Sequence, residues 1–465
     1  MSWTLAEILA ATGGAAGAGM SVGQPVSGVS TDSRRAAAGS VYFALRGEHH
    51  DGHRFVSAVL EQGAVAAVVD RRLPEVDAAR QIVVDDTLRA LGDLAGWSRR
   101  IQPLTVIAIT GSNGKTTTKE LTAAICNAAH FPPPRPAVLK TEGNLNNLIG
   151  LPLTLLGRRG DEAVGVLEMG MNQPGEIGRL TEIARPDYAT ITNVGPAHLQ
   201  GLGSLAGVAA AKGELFAGLP STSTIAVNVD DEWVARLAAS FGGAKILYGR
   251  GGDVRAENVA ELGLDGLGFE LRVGAARARV RLRLIGRHNV QNALAAAALT
   301  HAMGLSLETI VRGLESPVGP PMRMQSLRLA NGVTLINDAY NSNPASVEAA
   351  LETLQRLPGR SVAVLGDMWE LGDESRHAHR SIGERAGALG VDRLILVGAM
   401  ATAMAEGAMA SGLAAERIAI CEDHRAAADS IRADWRAGDV VLIKGSRGMK
   451  MEEVVRLLED AGNPS

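Results

Sequence analysis

The sequence predicts an α/β chain of three domains: a small one over residues 1–100, a central parallel-sheet domain over 101–315, and a third α/β domain over 316–465. Three observations predict it. At 465 residues the chain exceeds what one hydrophobic core normally serves. Short β-rich apolar runs recur along it with helical patterns between them, as parallel sheets require. The composition, 46% hydrophobic and 21% charged with 55 glycines, is globular rather than disordered or fibrous.

In the first hundred residues, Ser40–Leu45, Ala64–Val69 and Gln81–Val84 read as strands around small helices. Trp97–Pro103 reads as a polar break before the apolar run Leu104–Thr110, which leads into glycine-rich sequence. A helix is expected from about Thr117 to Ala129, then a proline-rich break at Pro132–Pro136, then strands at Ala163–Leu167, Tyr188–Thr192 and Thr224–Asn228. Gly252–Leu284 alternates apolar and polar positions as a small antiparallel hairpin set would, ahead of an alanine-rich helix over Asn289–Met303. Pro317–Pro321 reads as a linker, and Thr334–Asn337, Ser361–Leu365, Arg393–Val397 and Val440–Ile443 form a last strand series with helices between.

Composition excludes several function classes. Forty-six basic against fifty acidic side chains leave a formal net charge of -4, which provides no field for nucleic acid or an anionic membrane. Cys126 and Cys421 stand far apart with no metal-ligand spacing, which argues against a disulfide framework or zinc site and fits a reducing compartment. The first residues lack the basic start of a signal peptide, and no apolar run approaches the roughly 18 residues of a membrane span. A cytoplasmic protein without membrane insertion is expected.

The strongest local signal is Thr110-Gly111-Ser112-Asn113-Gly114-Lys115-Thr116-Thr117, set between an apolar strand and a helix. Its glycines let backbone N–H groups curl round a phosphate, Lys115 adds positive charge at the β and γ phosphates, and the Thr116 hydroxyl is a ligand for Mg²⁺. The general phosphate-loop spacing has a glycine where Ile109 stands. The central domain is accordingly expected to be P-loop ATPase-like, and the third, with its strand–helix alternation, Rossmann-like.

This loop resembles that of the Mur ligases of peptidoglycan synthesis, which read TG[ST]NGKT. The likeness continues in order through Gly143-Asn144-Leu145-Asn146-Asn147, Glu168-Met169-Gly170, Asn193-Val194-Gly195-Pro196-Ala197-His198-Leu199, Ala211-Lys212-Gly213-Glu214 and Gly286-Arg287-His288-Asn289. It reaches both ends, with Ser30-Thr31-Asp32-Ser33-Arg34 near the start, and Asn337-Asp338-Ala339-Tyr340-Asn341-Ser342-Asn343-Pro344 and Lys444-Gly445-Ser446-Arg447 in the last domain. The GNLNN block and Gly366-Asp367-Met368-Trp369-Glu370-Leu371-Gly372 are similar to the branch that uses ATP to join a UDP-N-acetylmuramoyl tripeptide to D-alanyl-D-alanine. The branch adding a single diamino acid bears an Asn-Pro-Arg motif that this chain lacks. In a folylpolyglutamate synthetase the first domain would have no purpose, and an ATP-gated binding module would form no amide.

The resemblance implies a role for each candidate. Gly111 to Thr117, Asn289 on the adenine side, Arg323 near the phosphates and Asp338 at the ribose would hold ATP. The glycine usual before that arginine is here Met322. Thr31, Asp32 and Ser33 would meet the UDP moiety, Arg46 and the following His49, His50 and His53 form the next uridine-side loop, and Asn144, Asn146 and Asn147 face the sugar-peptide. Leu148 stands where an acidic residue is frequent, so packing is expected there. Tyr340 and Asn341 are expected to bind substrate, Lys444 and Ser446 are candidates in the same domain, and His377 and His379 decorate a helix start near the second substrate. Glu168 at a strand end is by itself a charge meeting solvent, His198 by itself a hydrogen-bonded structural histidine and Lys212 by itself a solvated helix lysine. The resemblance makes Glu168 and Thr116 ligands of one Mg²⁺, and His198 and a carbamylated Lys212 ligands of a second. Lys115, His198 and Lys212 are then the catalytic set, in a chain expected to act as a monomer.

Overall fold

The computed structural model describes residues 3–47, 50–129, 138–196, 199–317, 319 and 321–462. Its N-terminal sheet runs in the order Ala15–Ala16, Gln81–Val83, Ala66–Val69, Ser40–Phe43, Gly28–Ser30, parallel except for the first pair. Beside it Trp3–Thr4 pairs antiparallel with Pro25–Val26. The expected strands at 40, 64 and 81 are present. The Trp97–Pro103 break is not, because residues 97–101 complete the helix Thr87–Ile101. Leu91, Leu94, Ala95 and Ser98 keep its inner face buried, so the helix runs on through the polar stretch, with Arg99 half-buried and Arg100 exposed on the outside.

The central sheet has nine strands, Ala276–Leu282, Leu267–Val273, Val254–Glu261, Ala244–Tyr248, Thr224–Asn228, Tyr188–Ile191, Thr105–Thr110, Val164–Glu168 and Val138–Lys140 in spatial order. Strands from 105 to 248 are parallel, the four central ones buried almost throughout, whereas the three from 254 to 282 are the antiparallel hairpin set that alternation predicted. The chain leaves Thr105–Thr110 to one side for Val164–Glu168 and later returns on the other for Tyr188–Ile191. This is a topological switch point, where ligands bind outside the carboxyl ends of the strands. Register puts Glu168 opposite Ile109, one residue short of the loop.

The C-terminal sheet runs Gln325–Arg328, Thr334–Asp338, Val440–Lys444, Ser361–Gly366, Arg393–Val397, Ile418–Cys421, with only the first strand antiparallel. Asp338 and Lys444 are level at the ends of adjacent strands. The proline-rich segment at 132–136, and Val318 and Pro320 of the expected linker, lie outside the described residues. Among the described residues no helix is long and apolar enough to cross a membrane.

Candidate active site

The strand Thr105–Thr110 delivers the chain into the phosphate loop, and the helix Lys115–Ala128 takes it away. Gly111 sits at φ 146° and Gly114 at φ 81°. A Cβ at Gly111 would stand 1.9 Å from Thr192 Oγ1, and one at Gly114 2.1 Å from Asn292 Oδ1, so both positions need glycine for space as well as for backbone angle. The loop is pinned from the neighbouring strand. Asn113 N–H donates to Asn193 Oδ1 at 2.9 Å, and its carbonyl accepts from Thr192 Oγ1 at 2.6 Å and Asn193 Nδ2 at 3.0 Å. Ser112 Oγ exchanges hydrogen bonds with both backbone groups of Gly195. Lys115 Nζ folds back to donate to the Gly111 carbonyl at 2.7 Å. Loss of hydration there lowers its proton affinity, and the nearby Glu168 charge opposes that.

Thr116 Oγ1 donates to Glu168 Oε2 at 2.8 Å, and Asn146 Nδ2 donates to Glu168 Oε1 at 2.9 Å. Glu168 is buried, so the reading of this carboxylate as a strand-end charge in solvent is wrong: it lies beneath the GNLNN turn with its backbone N–H on Thr141 Oγ1. Asn147 Oδ1 caps the helix that follows, accepting from Ile149 and Gly150 N–H, while Asn144 is exposed on the same rim. Leu148 packs into the apolar cluster, as expected. Lys212, on the helix Leu205–Ala217, is 1% exposed rather than solvated. Burial first, and the Lys115 charge second, push its amine well below the ordinary lysine value of 10.5. His198 lies outside the described residues.

Facing the loop is the C-terminal sheet. Asp338 Oδ1 accepts the Met324 N–H at 3.1 Å, and Oδ2 accepts from the buried Lys444 Nζ at 2.6 Å. Lys444 also donates to the Asn341 carbonyl, and Ser446 Oγ receives the Trp369 N–H. The Arg323 guanidinium lies over the Tyr340 ring, 4.2 Å from its centroid. Met322, where glycine is usual, adopts φ 57°, the left-handed turn that residue would have supplied. Asn289 lines the cleft but is buried, its amide occupied by the Ile285 carbonyl and by Asn292.

Two clefts result. One of about 450 Å³ runs from Ser112–Thr117 across His288 and Asn289 to Arg323, Asp338 and Lys444. A second of about 430 Å³ is lined by Asn144, Asn146, Asn147, Glu168 and Arg447. Lys115, Arg323, Tyr340 and Asn341 line both, so the clefts meet at the phosphate-loop lysine.

Thr31, Asp32, Ser33 and Arg46 belong to the N-terminal domain and line neither cleft. Hydrogen bonds from the Arg34 side chain and backbone pull the Asp32 carboxyl down to about 2. Arg46 pairs with Asp70 at 2.8 Å. His53 is buried between Asp51 and Asp70, its Nδ1 2.6 Å from Asp51 Oδ1 and its Nε2 accepting the Asp70 N–H, so it braces the loop; His49 lies outside the described residues. His379 is also buried, Nδ1 on the Ser375 carbonyl and Nε2 accepting the Met368 N–H, which makes it a support for the GDMWELG turn and not a substrate contact. His377 is exposed on the same helix. Sequence reasoning did not assign roles to Asn193, Asp230, Gln291, Asn292 or Asn343, which also line the larger cleft. Asn193 and Asn343 each stand within a quoted motif; Asp230, Gln291 and Asn292 carry no spacing signal.

Three family models match in domain order: Mur ligase family, catalytic domain, over residues 25–98; Mur ligase middle domain over 109–300; and Mur ligase, glutamate ligase domain, over 322–447. The chain is 40% identical over 440 residues to the UDP-N-acetylmuramoyl-tripeptide–D-alanyl-D-alanine ligase of Escherichia coli, covering 93% of this chain and 94% of that one. This chain belongs to the Mur ligase family. Among solved structures, the Mur ligase is similar to MurF from Acinetobacter baumannii, with TM-score 0.91, 35% identity and 99% of each chain covered. It is also similar to MurF from Thermotoga maritima in complex with ADP, with TM-score 0.83, 28% identity, and 93% and 97% covered.

Proposed function

We propose that this Mur ligase uses ATP to join the free carboxylate of a UDP-N-acetylmuramoyl tripeptide to the amine of D-alanyl-D-alanine, giving the UDP-linked pentapeptide precursor of peptidoglycan. One observation carries the reading: the phosphate-loop cleft and the asparagine-lined cleft share Lys115, Arg323, Tyr340 and Asn341 in their walls. A nucleotide's terminal phosphate and a second substrate therefore have one meeting point. Relatives that share over nine-tenths of the chain bear this activity in their names.

A carboxylate is a poor electrophile and does not condense with an amine in neutral water. The tripeptide carboxylate attacks the γ-phosphorus and ADP leaves, giving an acyl phosphate. The dipeptide amine then attacks the acyl carbon, phosphate leaves, and an amide remains. Lys115 and Arg323 stand at the junction of the clefts to offset charge on the transferring group. Asp338, Lys444 and Asn289 form the nucleoside wall, while Asn144, Asn146 and Asn147 form the sugar-peptide wall. Thr31, Asp32, Ser33 and Arg46 receive the UDP end in the N-terminal domain.

The Thr116 hydroxyl and buried Glu168 carboxylate, 2.8 Å apart, are hard oxygen donors suited to Mg²⁺. Lys212, dehydrated and biased toward its neutral amine, is chemically ready to add carbon dioxide; the carbamate would hold a second ion together with His198. Magnesium, when bound, neutralises phosphate charge. Dependence on ATP assigns the reaction to the cytoplasm.

The test is nucleotide turnover by the purified chain with each substrate omitted in turn. ADP release should require UDP-tripeptide and accelerate with D-alanyl-D-alanine. Release indifferent to both, with ATP altering only affinity for a partner, would instead make the protein a nucleotide-gated binding module.

A further inference from the structure

One hydrogen bond crosses from the C-terminal domain to the phosphate loop itself. Asn343 Nδ2 donates to Asn113 Oδ1 at 2.8 Å, across 230 residues of sequence. Asn343 is held through its side chain and Asn113 through its backbone. Asn343 is the N-cap of the helix Pro344–Arg356, its Oδ1 accepting the Ser346 N–H at 2.9 Å, while Ser346 Oγ accepts the Asn343 N–H at 3.0 Å. The cap settles which end of the amide is oxygen and leaves the NH₂ pointing at the loop. Asn113 is fixed through its backbone to Thr192 and Asn193, so the loop has committed every main-chain group of this residue to the central domain and offers the side chain outward.

We infer that Asn343 is a positioning residue, a strut by which the phosphate loop sets the place of the C-terminal domain over the reaction centre. This rests on the reading of the larger cleft as the ATP site. Ala345 and Ser346, in the first turn of the capped helix, line that cleft opposite Ser112–Thr117. The partial positive charge of a helix N-terminus then faces whatever phosphate the loop holds. A filled loop favours the docked position, and the strut fixes its register. The wall carrying Tyr340, Asn341 and Lys444 is continuous with Asn343, so its placement follows.

The test separates the strut from the cap. Asn343→Ser keeps a side-chain oxygen for the helix but cannot reach Asn113, whereas Asn343→Ala loses both. For N343S we expect an unchanged unfolding temperature, ATP affinity within about twofold of wild type, and kcat/KM for the dipeptide lowered about five- to tenfold, the worth of one hydrogen bond. Small-angle scattering should show a non-hydrolysable ATP analogue compacting wild type but compacting N343S less. A residue that only caps its helix would lower the amount of folded protein without moving a KM. If N343S matches wild type in dipeptide kinetics and compaction, or if N343S and N343A differ from it only in unfolding temperature, the strut is wrong. A wild-type chain that fails to ligate the dipeptide would overturn the proposed function, while the compaction arm would still decide the strut.

Discussion

Lys212 is the residue at which sequence and structure reason most differently. Exposure statistics make a helical lysine solvated, and only the family motif argued otherwise; the fold buries it, and burial lowers its proton affinity from 10.5. The sign follows from linkage. Between the depressed folded value and 10.5, the unfolded chain holds a proton that the folded chain does not, so this group's contribution to stability is complete above 10.5 and is lost as pH falls. In carbon-dioxide-free buffer, wild type should therefore gain stability relative to Lys212→Met as pH rises toward 10, measured by denaturant unfolding at several pH values; a constant difference would contradict the assignment. Activity of wild type, but not of Lys212→Met, should recover when bicarbonate is restored. Glu168→Gln keeps a hydrogen-bond acceptor for Thr116 but removes the charge. Its kcat should fall about a hundredfold or more with little change in unfolding temperature, the size expected for one lost electrostatic contact at a transition state. Met322 was legible only as a departure from a usual glycine: that it would take the left-handed conformation itself could not be read from its side chain.

At the scale of elements, the sequence revealed what is buried and periodic. The phosphate-loop strand and the buried strands of the last sheet are legible as apolar runs between turn signals, and the antiparallel hairpins as apolar–polar alternation. Ile418–Cys421 and Gln325–Arg328 are not: both are only partly buried edge strands, the first a short apolar Ile-Ala-Ile-Cys run with charged residues close on both sides, the second carrying Leu327 as its one apolar residue. The end of the helix Thr87–Ile101 is hidden in the sequence because its outer face turns polar while its inner face stays buried through Ser98. The loop makes its own prediction. Gly111→Ala forces a Cβ to 1.9 Å from Thr192 Oγ1 at a backbone angle hostile to alanine, so it should cost about 1–3 kcal/mol of stability and abolish nucleotide binding, read by calorimetric titration with ADP. Retention of ADP affinity would mean the loop is not the phosphate cradle.

For the whole molecule, apolar packing divides the chain unequally. One cluster joins Val41, Phe43 and Ile82 of the N-terminal sheet to Val106, Leu167 and Ile191 of the central sheet through Leu91 and Leu94 of the long helix. The last sheet is packed chiefly by two clusters of its own. The N-terminal and central domains should therefore unfold together and the C-terminal domain separately. In hydrogen exchange, amides of Ser40–Phe43 and Thr105–Thr110 should lose protection in one event and those of Ser361–Gly366 in another. A single event for all three would contradict this division. The central claim, amide formation between two particular substrates, is tested most directly by mass spectrometry of the products. The purified chain is mixed with ATP, Mg²⁺, UDP-N-acetylmuramoyl tripeptide and D-alanyl-D-alanine, with single D- and L-amino acids in parallel. A UDP product extended by the dipeptide, and by no single amino acid, is the predicted result; extension by one amino acid, or ATP binding without any amide, would contradict it.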